Sequence, residues 1–131
     1  MGAVEPDQEM AAQRLHGRCV LVVEDEYLLA NDLEREFRPA GINILGPVPT
    51  LSQAMALIQD KAIDLAVLDI ALDGEKVYPL ADALIGRNVP VLFVTGYDRS
   101  DIPSRYSDVP ICQKPVGPSE VIAALGRILA E

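Results

Sequence analysis

LAVLDIALDGEKVYPLADALIGRNVPVLFVTG, residues 65–96, decides the fold. It opens on LAVLD (65–69), four apolar residues closed by an aspartate, which reads as a strand. PLADALIG (79–86) follows as a short helix, with Pro79 well placed for a first turn. VPVLFVTG (89–96) is again a continuous apolar run. Strand, helix, strand at this spacing is one βαβ unit, which closes with a right-handed crossover onto a parallel partner.

The same rhythm extends both ways. Upstream, CVLVV (19–23) predicts a strand, and Leu29, Leu33 and Phe37 at i+4 spacing predict a helix ending at Pro39 and Gly41. INILG (42–46) predicts the second strand, ending in Gly46-Pro47. TLSQAMALIQDK follows as a helix with Thr50 and Gln53 spaced as a capping box. Downstream, VPICQ (109–113) predicts the fifth strand, and GPSEVIAALGRILAE closes the chain as a helix. Only YDRSDIPSRYSD (97–108) breaks the pattern. Its large apolar residues are Tyr97, Ile102 and Tyr106, and Pro103 interrupts it, so a short or mobile fourth helix is expected there. Five such units predict an α/β domain, a doubly wound five-stranded parallel sheet with helices on both faces. Residues 1–17 carry few large apolar side chains beyond Met10 and Leu15. They read as a flexible arm or short extra helix outside the core, leaving 18–131 as the domain.

Composition limits the function. The chain has 131 residues, and 11 basic against 20 acidic side chains give a net charge of −9. An acidic surface disfavours nucleic acid and anionic membranes as partners. No apolar run approaches the ~18–20 residues that span a bilayer, and the acidic start is unlike a signal peptide, so a cytoplasmic location is expected. The single histidine, His16, lies in the arm and supports no zinc cluster. Cys19 and Cys112 fall inside strand-like runs and read as buried small hydrophobes.

In an open doubly wound sheet, ligands bind beyond the carboxyl ends of the strands. Those positions carry Glu24, Asp25 and Glu26 after the first strand, Asp69 after the third, Thr95-Gly96 after the fourth and Lys114-Pro115 after the fifth. Taken singly, each has a structural explanation: a helix-dipole partner, a turn residue, a strand exit. Together they are chemically coherent. Converging carboxylates repel and tend to hold protons, and a hard divalent cation such as Mg²⁺ resolves that conflict. A lysine neutralises an incoming anion, and a threonine hydroxyl can donate to a phosphoryl oxygen. The set suits phosphoryl transfer with Asp69 as a carboxylate nucleophile.

The motifs LVVEDE, LAVLDIALDGE, FVTGY and QKPV, in this order, resemble those of response-regulator receiver domains over residues 18–131. The resemblance implies a flavodoxin-like (βα)5 fold with strand order 2-1-3-4-5. It implies that Asp69 accepts a phosphoryl group from a histidine kinase and that Glu24, Asp25, Asp69 and the backbone carbonyl of Ala71 hold Mg²⁺. Thr95 and Lys114 would bind the phosphoryl oxygens, across a cis Lys114–Pro115 bond. Such a protein is a phosphoacceptor that catalyses its own phosphorylation and dephosphorylation, with no external substrate, and is not an enzyme in the ordinary sense.

LDGEKVYPLADAL and PVLFVTGYD are similar to the stand-alone FAT GUY receivers, linked to stress signalling and HWE-type histidine kinases. That group's usual alanine is Val94 here, and its usual phenylalanine after Lys-Pro is Val116. With no output domain after the last helix, signalling through a downstream protein partner or phosphotransfer protein is expected. Leu28, Leu29 and Val116 are the docking candidates. Ile111 replaces the aromatic that many receivers carry three residues before the lysine, so Thr95, Tyr97 and the 97–108 segment are expected to carry the switch. The resemblance also implies that Ala71 and Tyr97 tune the lifetime of the acyl phosphate. Two other classes fit less well. An aspartyl-phosphate phosphatase wants a second aspartate where Ala71 stands, and no glycine-rich nucleotide loop occurs. The alternative left open is a receiver-like module that binds partners without phosphorylation.

Overall fold

β-Branched runs with both faces apolar are stable only between two helical layers, and that is where they lie. The computed structural model of the chain describes residues 6–130. Its sheet is built from β1 (Cys19–Val23), β2 (Asn43–Val48), β3 (Leu65–Leu68), β6 (Val91–Thr95) and β7 (Ile111–Gln113). A two-stranded hairpin, β4 (Ala71–Leu72) and β5 (Glu75–Lys76), follows β3. The helices are α1 (Pro6–Leu15), α2 (Tyr27–Phe37), α3 (Leu51–Leu57), α4 (Tyr78–Gly86) and α5 (Pro118–Ala130). The five main strands pair in parallel in the order β2-β1-β3-β6-β7. With the hairpin set aside, this is the expected 2-1-3-4-5.

Strand side chains alternate strictly between the layers. Leu21, Val23, Ala66, Leu68, Val91 and Phe93 pack with Ala54 of α3 and Leu80, Ala81 and Leu84 of α4. Val20, Val22, Leu65, Val67, Leu92 and Val94 pack with Leu29, Leu33 and Phe37 of α2 and Val121 and Leu125 of α5. β2 runs two residues past its expected end, through a cis Gly46–Pro47 bond with a register shift between Leu21 and Val23. Pro47 is tolerated because β2 is an edge strand. Of the expected capping box, one half forms. Thr50 Oγ1 accepts from the Gln53 backbone N–H at 3.1 Å, while the Gln53 side chain turns to the Thr50 hydroxyl instead of its backbone.

Of the two N-terminal readings the short extra helix forms, but it does not lie outside the core. Residues 6–15 are helical, and Ala11 and Leu15 belong to the buried cluster with α2 and α5. Residues 1–5 of the expected arm lie outside the described residues. The helix docks closely, with Ala11 and Leu15 turned inward, because α5 offers a glycine: a Cβ on Gly126 would stand 2.3 Å from that of Ala11. Gly17 (φ +80°) then turns the chain, and its N–H donates to Gly41 O at 2.8 Å. The cysteines also differ from expectation. Both are half-buried free thiols, because each sits at the end or in the last strand of the sheet. No helix among the described residues is long and apolar enough to cross a membrane.

The 97–108 segment takes the short form. It holds two single 3-10 turns, Arg99–Asp101 and Ser104–Tyr106. Arg99 ties it down by donating to Tyr106 O and Val109 O. Tyr106 is fully buried, stacked on Tyr78 and edge-on to Phe93. Its hydroxyl donates to Asp82 Oδ1 at 2.5 Å. Burial and then the Asp82 carboxylate push its pKa up to about 12. Tyr106→Phe is expected to lower stability by about 1 kcal/mol, the usual cost of one such bond, read as a reduced urea midpoint at unchanged slope.

Candidate functional site

Parallel strands end on the same edge, so residues far apart in sequence converge there. Glu24 and Asp25 follow β1, Asp69 follows β3, Thr95 ends β6 and Lys114 follows β7. β1 and β3 are neighbours where the strand order reverses, the position at which such sheets form a crevice. Glu24, Asp69 and Thr95 are polar residues buried to 3%, 5% and 1% exposure. Asp25 is exposed on the rim.

One cation organises the acids. Lys114 Nζ donates to Glu24 Oε2 at 2.9 Å, Glu26 Oε2 at 3.0 Å and Asp69 Oδ2 at 3.1 Å. Its backbone is fixed by a 2.7 Å bond from Lys114 N–H to Thr95 O and by the expected cis bond to Pro115. Glu24 Oε2 also accepts from the Glu26 N–H at 3.0 Å. Asp25 Oδ2 accepts from the Asp73 N–H at 3.2 Å, which ties the rim of the pocket to the β4–β5 turn. Thr95 Oγ1 accepts from the Tyr97 N–H at 3.1 Å.

The electrostatics are strained. Burial drives the Glu24 pKa up to about 7; the Lys114 bond opposes this and the Asp69 charge adds to it. Asp69 is likewise raised, first by burial and further by Asp25, with Glu24 and Lys114 acting the other way. Burial disfavours the Lys114 charge, yet its bonds to Glu24 and Glu26 outweigh this and hold it above the ordinary lysine value. One ammonium thus faces three contacting carboxylates and Asp25 besides.

That deficit fits a divalent cation. Glu24, Asp25 and Asp69 each offer a carboxylate oxygen within 4.8 Å of the others. Glu24 Oε1 is buried and has no hydrogen-bond partner among the described residues, a cost that a ligated ion removes. All-oxygen donors of this kind suit Mg²⁺. The acidic cluster could therefore hold the metal expected from the sequence.

The sequence reading placed Glu24, Asp25, Asp69, Thr95 and Lys114 on one edge, and they are there. Ala71 lies two residues past Asp69, inside β4 and paired with Lys76 of β5. Three participants were missed: Glu26 as a Lys114 partner, the Asp73 N–H, and Lys76. Lys76 Nζ bonds the Tyr97 hydroxyl and lies 4.4 Å from its ring centroid. The missed signal was Asp73-Gly74, both at positive φ (47° and 87°), the dipeptide of a tight hairpin turn. Among the docking candidates, Leu28 is 74% exposed beside an equally exposed Tyr27, and Val116 is half-buried. Leu29 is corrected to core, since helical spacing turns it inward with Leu33.

Comparison with known proteins agrees with this geometry. The family model described as response regulator receiver domain matches residues 20–125. The phyllosphere-induced regulator PhyR of Methylorubrum extorquens is 32% identical over 129 residues, covering 95% of this chain and 48% of the relative. The chain spans about half the length of the curated relatives it matches. The solution structure of SdrG from Sphingomonas melonis Fr1 superposes with a TM-score of 0.75 at 36% identity, covering 87% of this chain and 97% of that one. The BeF3-activated conformation of SdrG, from Pseudomonas melonis Fr1, gives 0.71 at 38% identity, covering 85% and 95%.

Proposed function

This chain belongs to the response-regulator receiver family, and we propose that it is a working phosphoacceptor in a two-component phosphorelay, with Asp69 as the acceptor. The observation that carries this is Asp69 itself: a buried carboxylate at the end of a central strand, gripped by Lys114 and flanked by Glu24 and Asp25. A merely structural aspartate has no need of such neighbours, whose mutual repulsion costs stability. BeF3 mimics a phosphoryl group, so the activated SdrG conformation supports the same chemistry here.

In the proposed reaction, an Asp69 carboxylate oxygen attacks the phosphorus of a kinase phosphohistidine. The P–N bond breaks, the imidazole leaves with its electron pair, and an acyl phosphate forms. Glu24, Asp25, Asp69 and the Ala71 carbonyl would hold Mg²⁺, which neutralises phosphoryl charge. Lys114 exchanges its bond to Asp69 for one to a phosphoryl oxygen. Thr95 can donate its hydroxyl proton to another, because that proton is not engaged by the Tyr97 N–H, for which the oxygen is the acceptor. The protein catalyses gain and loss of its own phosphoryl group and acts on no external substrate. The donor is a sensor histidine kinase, of the HWE type by resemblance, or a phosphotransfer protein. The output is a protein contact in cytoplasmic stress signalling.

The test is incubation with acetyl phosphate and Mg²⁺ followed by intact mass, with Asp69→Ala alongside. One added phosphoryl group is expected, absent in the variant and absent without Mg²⁺. If the wild type gains nothing and also fails to bind beryllofluoride, the chain is a phosphorylation-independent binding module.

A further inference from the structure

The loop after β3 and the loop after β6 flank the Asp69 pocket, and a side-chain bridge spans them. The first loop is the β4–β5 hairpin, whose ladder sets Lys76 directly across from Ala71, two residues beyond Asp69. Cross-strand partners project from the same face. Lys76 reaches from there to Tyr97, two residues beyond Thr95, bonding its hydroxyl and lying 4.4 Å from the ring centroid. Both ends of the bridge are anchored in the pocket. The hairpin turn donates the Asp73 N–H to Asp25, and the Tyr97 N–H donates to Thr95 Oγ1. Tyr97 is half-buried against the α3–α4 side of the core, so its ring is held on two sides.

We propose that Lys76 is a positioning residue for the acyl phosphate: by gripping Tyr97 it holds the ring across the gap between the two loops, and this restricts entry of the hydrolytic water. This rests on Asp69 being the phosphoacceptor. Hydrolysis requires water oxygen to attack phosphorus while the bond to the Asp69 oxygen breaks. The carboxylate leaves with that electron pair, inorganic phosphate forms, and the water's proton passes to solvent. Water must reach phosphorus from the open side, opposite the Asp69 oxygen. Without the Lys76 grip, the ring keeps only its core contacts and the pocket opens more often. Lys76 touches no reacting atom; its effect runs through Tyr97.

The experiment measures acyl-phosphate lifetime after acetyl phosphate is removed from the full chain, in wild type, Lys76→Met, Lys76→Arg, Tyr97→Phe and the Lys76→Met/Tyr97→Phe double variant. Lys76→Met is expected to shorten the lifetime about fivefold, equivalent to roughly 1 kcal/mol at 25 °C. Tyr97→Phe shortens it to a similar degree, since it removes the hydroxyl that Lys76 bonds. The double variant matches Lys76→Met, and Lys76→Arg restores most of the lifetime. Beryllofluoride binding stays the same throughout, which reports an intact pocket. Lifetimes within twofold of wild type, or effects of the two substitutions that multiply as independent sites do, overturn the bridge. A wild type that takes up no phosphoryl group overturns the phosphoacceptor reading and this inference with it.

Discussion

At pH 8 without divalent cation, Lys114→Met is expected to lower the unfolding free energy by about 3 kcal/mol, the cost of stripping a buried carboxylate of its partner. Lys114 is the cation bonded to Glu24, Glu26 and Asp69, and its removal leaves two deeply buried acids facing one another. The loss depends on pH in a defined direction. Glu24 titrates at about 7 in the folded protein instead of near 4.5. An acid with a raised folded pKa contributes stability that is complete below its unfolded value and lost as pH rises through the folded one. Lys114 lowers the Glu24 pKa, so removing it widens that window upward. At pH 5.5 Glu24 is already largely protonated in both proteins, and the difference should shrink by about 1 kcal/mol, since one titrating group changes stability by at most about 1.4 kcal/mol per pH unit and wild-type Glu24 titrates only about one unit below pH 8. Mg²⁺ should restore the variant at pH 8, because an ion at a hundred times its Kd contributes about 2.7 kcal/mol. Urea melts at the two pH values, with EDTA or Mg²⁺, decide the matter. An equal loss at both would mean that the lysine stem contributes packing and its charge contributes little.

The site was legible in the sequence because this topology concentrates chemistry at strand ends. Asp69 ends LAVLD, Lys114 follows VPICQ, and the strands were plain because burial on both faces leaves no polar residue to blur them. Acids in a row are harder to read. Glu24, Asp25 and Glu26 are consecutive, and nothing in their order tells that Glu26 turns back to Lys114 while Asp25 faces Asp73. The hairpin escaped because its strands are two residues long, below any period. Its trace was the Asp73-Gly74 pair alone. Ile111, in place of the usual aromatic, shifted the expected switch to Thr95, Tyr97 and the 97–108 segment. The structure fills that side of the core with Tyr106, whose neighbours Tyr78 and Phe93 come from other elements and share no pattern with it. The docking of α1 was illegible for the opposite reason. Its docking depends on what Gly126 lacks, and a missing side chain 115 positions away leaves no mark on residues 6–15.

Gly126→Leu is therefore expected to release α1. Within a helix, leucine is favoured over glycine by nearly 1 kcal/mol, so at an open position this change would stabilise α5. Here the new Cβ would lie 2.3 Å from Ala11 Cβ and 2.6 Å from Ala11 Cα. The second of these is backbone, which no rotamer change relieves. The helices must part, and the cost cannot exceed what α1 docking contributes. Leu15 is fully buried and Ala11 nearly so; burying them contributes about 3 kcal/mol together at the usual values for such side chains. The net expected loss is about 2 kcal/mol after the helix gain. Hydrogen exchange should show protection vanishing across 6–15 while β1 and β3 keep theirs, since those strands are held by α2, α3 and α4 independently of α1. Gly126→Ala is the graded control. Its single methyl meets the same Ala11 atoms, so α1 should loosen there too, and Ala11→Gly in the same chain should return part of the protection by removing the facing Cβ. Retained protection in Gly126→Leu, at wild-type stability, would mean that α1 can shift along α5 without losing Leu15 from the core.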